Sequence, residues 1–231
     1  MELLAYPITT VITVITAIVS LIALEKPDLK RRMLLSPYAI VHQKQYERIF
    51  AHALIHADIL HLIFNMYVFY EFGHLLEFIF TNEIMYYNVF GSDSLYWGNL
   101  TGSLYFALLY TGAIAFATLP SMRKHKDNPT YSALGASGGV SAIVMAYILL
   151  FPTNELRFIL FPFFGIPAFV IGIFFFAYES YMDKKGGGRI AHDAHIFGAL
   201  FCLLFFLLVD SAVYVDFYTK VLAFFQGLGA A

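Results

Sequence analysis

The amino-acid sequence predicts an all-α, polytopic membrane protein, one domain over residues 1–231 folded as a bundle of six transmembrane helices. Three observations predict it. The 231 residues are 60% hydrophobic and only 13% charged, which is too little polar surface to cover a soluble globule. Six apolar segments each approach the ~20 residues that cross a hydrocarbon core about 30 Å thick. The stretches between them are short, so a membrane anchor carrying a separate soluble enzyme is excluded and any chemistry sits inside the bundle. The single Cys202 rules out an internal disulfide framework, and a net charge of -2 gives no electrostatic footprint for nucleic acid.

The first span is expected over 3–24, an uncharged run rich in Ile, Val, Thr and Ala. From Glu25 to Ala57 the chain turns polar, with Lys26, Lys30, Arg31, Arg32, Lys44 and Arg48, and a loop this long is expected to carry structure of its own at the interface. The second span, 58–80, holds His61, Asn65, Glu71 and Glu77; a loop around Thr81–Ser94 leads to the third, 95–119. The fourth, 131–151, contains Gly135-Ala136-Ser137-Gly138-Gly139 near its start, the fifth covers 158–178, and the sixth 191–209. The tail, 210–231, is apolar and aromatic but interrupted by Asp216 and Lys220, which reads as an interfacial segment.

Ionisable residues at membrane depth are expensive, so those present are functional candidates. Three groups stand out: His52, His56, His61 and Asn65 around the start of the second span, Ser137 at the entrance of the fourth, and His192 and His195 at the entrance of the sixth. Alternating helix direction puts all three on one side of the membrane, where they can converge. His52 and His56, if helical, share a face, as do His61 and Asn65, each pair being four apart. Ser137 lies among residues with almost no side chain, so a neighbouring helix can approach closely and bring an imidazole to its hydroxyl, the base such a nucleophile needs. Each group also has a plainer reading. The small-residue run is ordinary helix packing, the histidine trio a zinc site, His192 with Asp193 a solvated loop end, and His195 a helix bridge. Glu77, four after Gly73, reads as a structural hydrogen bond to a loop.

Together these stretches resemble the rhomboid family of intramembrane serine proteases, over about Arg48 to Cys202. His56-x4-His61-x3-Asn65 followed by Gly73-x3-Glu77 is similar to the family's second-span signature, Gly135-Ala136-Ser137-Gly138 to its GxSG nucleophile motif, and Ala194-His195-Ile196-x-Gly198 to its sixth-span base motif. The resemblance implies a rhomboid-like bundle with a Ser–His dyad and no third carboxylate: Ser137 as nucleophile, His195 as general base. His61, Asn65 and the Ser137 backbone N–H would form the oxyanion hole, with His52, His56, Glu77, Gly135, Gly138 and Gly198 in supporting roles. It implies no cofactor and no metal, and as partners the lipid bilayer and transmembrane protein substrates.

The chain departs from the family pattern in places. Ser141 stands where an aromatic residue often stacks on the base histidine, Glu47-Arg48 replaces a Trp-Arg pair, and Cys202 replaces a small-residue Gly. The Lys/Arg bias of the odd loops predicts an amino terminus outside. The family pattern implies the reverse, with the site opening outward, and is preferred because an amphipathic first loop can escape the charge rule. The expected location is multi-pass in a prokaryotic inner or plasma membrane. The moving gate is expected at Gly186-Gly187-Gly188 and in the fifth span with Pro162 and Pro167. The alternatives are a non-catalytic rhomboid-like protein that binds client helices, and a metal-binding bundle using His52, His56 and His61.

Overall fold

A computed structural model describes residues 7–90, 98–158, 161–186 and 191–229. In chain order the helices are α1 (Pro7–Glu25), α2 (Pro27–Met33), α3 (Pro37–Gln43), α4 (Arg48–Ala51), a 3₁₀ turn (His52–Leu54), α5 (Ile59–Thr81), α6 (Glu83–Phe90), α7 (Asn99–Ala117), α8 (Leu119–His125) and α9 (Ser137–Leu150). Strands β1 (Glu155–Phe158) and β2 (Phe161–Pro167) follow, then α10 (Ala168–Lys185), α11 (His192–Val209) and α12 (Ala212–Gly229).

The protein is a mostly helical, multi-pass membrane protein. Among the described residues four helices are long and apolar enough to cross a membrane: Pro7–Glu25, Ile59–Thr81, Asn99–His125 and His192–Val209. The expected six spans are not reached on that measure, for two local reasons. The fourth starts at Ser137 rather than 131, because Gly135 takes φ +110° and the chain before it is non-helical, leaving α9 only 14 residues. The fifth starts at Ala168 rather than 158. Pro162 and Pro167 cannot sit in a helix interior, and the segment instead forms an antiparallel hairpin pairing Glu155 with Pro167 and Arg157 with Gly165. The expectation of a purely helical chain is corrected by that hairpin. Pro162 and Pro167, expected in a gate, thus belong to a strand, and Gly187 and Gly188 lie outside the described residues.

Helix α9 is the centre. Its apolar residues face inward all round, with α5, α7, α10, α11 and α12 packed about it, the arrangement expected of a helix without a polar stripe. Helix α1 runs antiparallel to α5, and each of its ends is fixed by a polar contact. At its start Glu77 accepts from the backbone N–H groups of Ile8 (2.9 Å) and Thr9 (2.8 Å) and from the Thr9 hydroxyl (2.7 Å). A helix leaves these N–H groups without acceptors, and in hydrocarbon no water supplies one. The partner of Glu77 is therefore the first turn of α1, not the loop expected. Gly73 allows the approach, since a Cβ there would lie 3.2 Å from Thr9 Cγ2.

The first loop does carry structure, α2 to α4. Arg48 pins it, donating from Nη1 to the carbonyls of Leu34 (2.8 Å) and Arg31 (2.9 Å) and from Nε to Gln45 Oε1 (2.6 Å). The loop then joins the segment ahead of α9: Leu35 and Ala133 exchange backbone hydrogen bonds of 2.9 and 3.1 Å, and Gly135 N–H donates to His52 O at 2.9 Å. The carboxyl tail, expected at the interface, forms α12 and packs against the bundle. Lys220 Nζ donates to Leu150 O at the end of α9 (3.0 Å), and Phe224 and Phe225 meet Phe169 edge-on.

Candidate active site

The site is built on the amino-terminal end of α9. Gly135 reverses the chain in a conformation that L residues rarely adopt, and a Cβ there would also stand 3.1 Å from His61 Cε1. Two residues later Ser137 opens the helix, whose first-turn N–H groups have no intrahelical acceptor and carry the positive end of the helix dipole. A hydroxyl placed there stands beside ready donors for developing negative charge.

Helix α11 reaches that hydroxyl because both helices have glycine at their contact. A Cβ on Gly138 would lie 3.4 Å from Ala194 O of α11, and one on Gly198 would stand 2.0 Å from Gly138 O. His195, three residues before Gly198, then places Nε2 2.8 Å from Ser137 Oγ, although the two residues are 58 positions apart in sequence.

Helix α5 supplies the third wall. Asp58 caps it, accepting from His61 N–H at 2.8 Å, and His61 and Asn65 share one face. His61 Nδ1 accepts from Ala57 N–H at 3.4 Å, which leaves the ring proton on Nε2 as a donor. Asn65 Nδ2 donates to His61 O at 3.0 Å, and the amide has a second N–H to offer. With His52, Gly135, Ser137 and His195 these residues line a cavity of about 690 Å³.

His52 and His56 do not share a helical face as expected, because residues 52–54 form a 3₁₀ turn and Ile55 is extended. His52 is buried, with Nδ1 3.0 Å from Arg48 O, and burial holds its pKa below the ordinary histidine value. His56 Nδ1 lies 3.2 Å from Ser20 Oγ, fixing the far end of α1. Its Nε2 is buried with no hydrogen-bond partner among the described residues, and its ring meets that of His61 edge-on at 5.0 Å. Burial, the neighbouring His61 and Lys30 push its pKa down to about 3, against the opposing pull of Asp58. Through these contacts His52 joins Arg48 of the first loop, and His56 joins Ser20 of α1.

One residue went unrecognised in the sequence. Glu179, buried on α10, places Oε2 3.1 Å from His195 Nδ1 and 2.7 Å from His192 Nδ1. The expectation of no carboxylate behind the base is corrected, and so is that of His192 as a solvated loop end, since its ring is 6% exposed. The ring support that Ser141 cannot give comes instead from Glu179 and from His192, whose ring lies edge-on to His195 at 6.1 Å. The signal available was an acidic residue in an apolar helical run, four residues before the point where charge becomes dense at Asp183.

Among the described residues the cluster able to offer a metal three ligands is this one, Glu179, His192 and His195, and not the His52–His56–His61 trio. Its ligand atoms are in hydrogen-bond contact: ligands ~2.0–2.2 Å from one tetrahedral ion would stand wider apart than the 2.7 Å observed between His192 and Glu179. The arrangement is a carboxylate accepting from two imidazoles.

The Rhomboid domain profile matches residues 43–211. RHOMBOID-like protein 12, mitochondrial, from Arabidopsis thaliana is 31% identical over 151 residues, which cover 64% of this chain and 41% of that protein. The chain thus aligns with well under two thirds of that relative's length. The relative's mitochondrial designation lends no support to the prokaryotic membrane expected from the sequence.

Proposed function

The chain belongs to the rhomboid family, and from its site we propose that it is an intramembrane serine protease hydrolysing peptide bonds in or near the transmembrane segments of other membrane proteins. The observation that carries this reading is the 2.8 Å hydrogen bond between Ser137 Oγ and His195 Nε2. In the reaction His195 Nε2 takes the hydroxyl proton as Oγ attacks the scissile carbonyl carbon. The carbonyl oxygen gains negative charge, which His61 Nε2–H, the Asn65 amide and the Ser137 N–H stabilise, a large term in such reactions. The C–N bond then breaks, the leaving amine receives the proton from His195, and water repeats the sequence on the Ser137 ester.

The length of α9 supports chemistry below the membrane surface. Its 14 residues cover about 21 Å of a core about 30 Å thick, so with its far end at one face Ser137 lies within the other. The cavity gives water a route to it. A substrate helix has to unwind before its backbone enters, which favours small and helix-breaking residues at the cut. The site is read as opening outward with the amino terminus inside. The first loop is built onto the bundle, with Lys30 donating to Ala57 O at 2.9 Å and Arg48 to Leu34 O at 2.8 Å.

The test is reaction of the detergent-purified protein with a fluorophosphonate probe, compared with Ser137→Ala and His195→Ala. Labelling that requires both residues is expected. A folded wild type that takes no probe would overturn the reading and favour a non-catalytic binder of client helices.

A further inference from the structure

We propose that Glu179 is a positioning residue of this protease, holding His195 in the tautomer and orientation that accept the Ser137 proton, with His192 locking the carboxylate in place. The inference rests on the reading of Ser137 and His195 as nucleophile and base.

The geometry is that of a relay. His195 presents its two ring nitrogens to different partners, Nε2 to Ser137 Oγ at 2.8 Å and Nδ1 to Glu179 Oε2 at 3.1 Å. A carboxylate only accepts, so the Nδ1 that faces it carries the ring proton and Nε2 is left with the lone pair that a base needs. When the imidazole takes up the serine proton, the carboxylate lies against the positive ring. His192 Nδ1 donates to the same oxygen at 2.7 Å, and its position three residues before His195 on α11 puts both donors on one helical face. Tyr178, beside Glu179 on α10, meets the His192 ring edge-on at 6.1 Å.

The neighbouring charges leave Glu179 to these imidazoles. Lys124, at the end of α8, is the nearby cation, and it pairs with Asp193 of α11 at 2.8 Å and Asp183 of α10 at 3.4 Å. A carboxylate that is 7% exposed and, among the described residues, unpaired with Lys or Arg is a costly group to place on a membrane helix. Stability alone does not account for it, because an apolar residue would pack there without that cost. Its position behind the base does, in a chain where Ser141 offers no aromatic ring to stack on His195.

The experiment measures fluorophosphonate labelling of the full chain in detergent, resolved into the maximal rate and the half-saturating probe concentration, for wild type, Glu179→Gln, Glu179→Asp and His192→Gln. Loss of the orienting carboxylate in serine proteases of other folds costs on the order of 10⁴-fold. Glu179→Gln is expected to lower the maximal rate by on the order of 10²- to 10⁴-fold with half-saturation unchanged. Glu179→Asp should recover at least about tenfold over Glu179→Gln, and His192→Gln should lose about tenfold. Nitrogen-15 NMR of histidine-labelled wild type should find the His195 proton on Nδ1. A Glu179→Gln protein labelled at the wild-type rate, a loss that falls on half-saturation, or an Asp variant no better than Gln overturns the proposal. If Glu179→Gln does not fold, the wild-type spectrum decides, and a His195 protonated on Nε2 sinks it. Wild type that fails to label, or labels without Ser137, would sink the serine reading itself, an outcome distinct from labelling that ignores Glu179.

Discussion

A Cβ atom on Gly198 would stand 2.0 Å from the carbonyl oxygen of Gly138, so α11 touches α9 backbone to backbone one turn from the Ser137–His195 hydrogen bond. Backbone cannot swing aside as a side chain can, and any larger residue must push the helices apart. Gly198→Ala is expected to destabilise by about 1–3 kcal/mol, the usual range for overpacking. It should also lower fluorophosphonate labelling by more than about tenfold, since an ångström of misplacement is costly to such chemistry. Labelling at the wild-type rate would show that the close approach does not set the site.

Glu77 lies at the other end of α5 from the site and accepts three hydrogen bonds from Ile8 and Thr9. Glu77→Ala leaves two backbone donors in hydrocarbon, which is expected to cost about 3 kcal/mol of stability, at about 1–3 kcal/mol for each unsatisfied group and without full additivity. Thermal unfolding in detergent measures it. Labelling per folded molecule should stay near wild type, because the contact fixes α1 and not Ser137.

Acid should destabilise the fold through His56 and His52. The unfolded chain binds a proton at each below about pH 6.5, whereas the folded His56 does so only near pH 3 and the folded His52 also later than usual. Between those values the unfolded state holds more protons, so stability falls as pH falls, by at most about 1.4 kcal/mol per pH unit for each group. Thermal unfolding followed from pH 7 to pH 5 should drop, and His56→Gln should flatten the slope. A slope unchanged by that substitution would contradict the burial account.

The proposed oxyanion donors can be tested singly. Asn65→Ala removes an amide at the cavity wall whose bond among the described residues is to its own helix, at His61 O. It is expected to lower the rate of substrate cleavage by about 10²–10³-fold with little change in folding, the usual cost of one such donor. His61→Ala should act in the same direction and also disturb the Gly135 turn packed against it.

The meeting of Ser137 and His195, the proposed nucleophile and base, was legible because each sits in a short pattern whose meaning is local: glycines that admit a second helix, and a histidine one turn before another glycine. The boundaries were less so. A run of Phe, Ile and Leu fits a strand as well as a buried helix, and only the spacing of Pro162, Gly165 and Pro167 distinguishes the hairpin from the span expected over 158–178. That shift also hid Glu179. With the fifth span ended at Tyr178 the acid fell just outside it, while in the structure α10 continues to Lys185 and buries the carboxylate on α11. The contact depends on how two helices sit side by side, which spacing along one of them does not encode. The partner of Glu77 was missed for the same reason. Its α-helical neighbour lies 68 positions away at Thr9.

The most direct test of the central claim is cleavage itself. Wild type and Ser137→Ala would be reconstituted in lipid vesicles with single-span peptides bearing small and helix-breaking residues, and the products identified by mass spectrometry. The account predicts new termini within or beside the apolar stretch, formed by wild type and absent with Ser137→Ala. Peptides left intact by folded wild type that accepts the fluorophosphonate, or cut equally by Ser137→Ala, would contradict it.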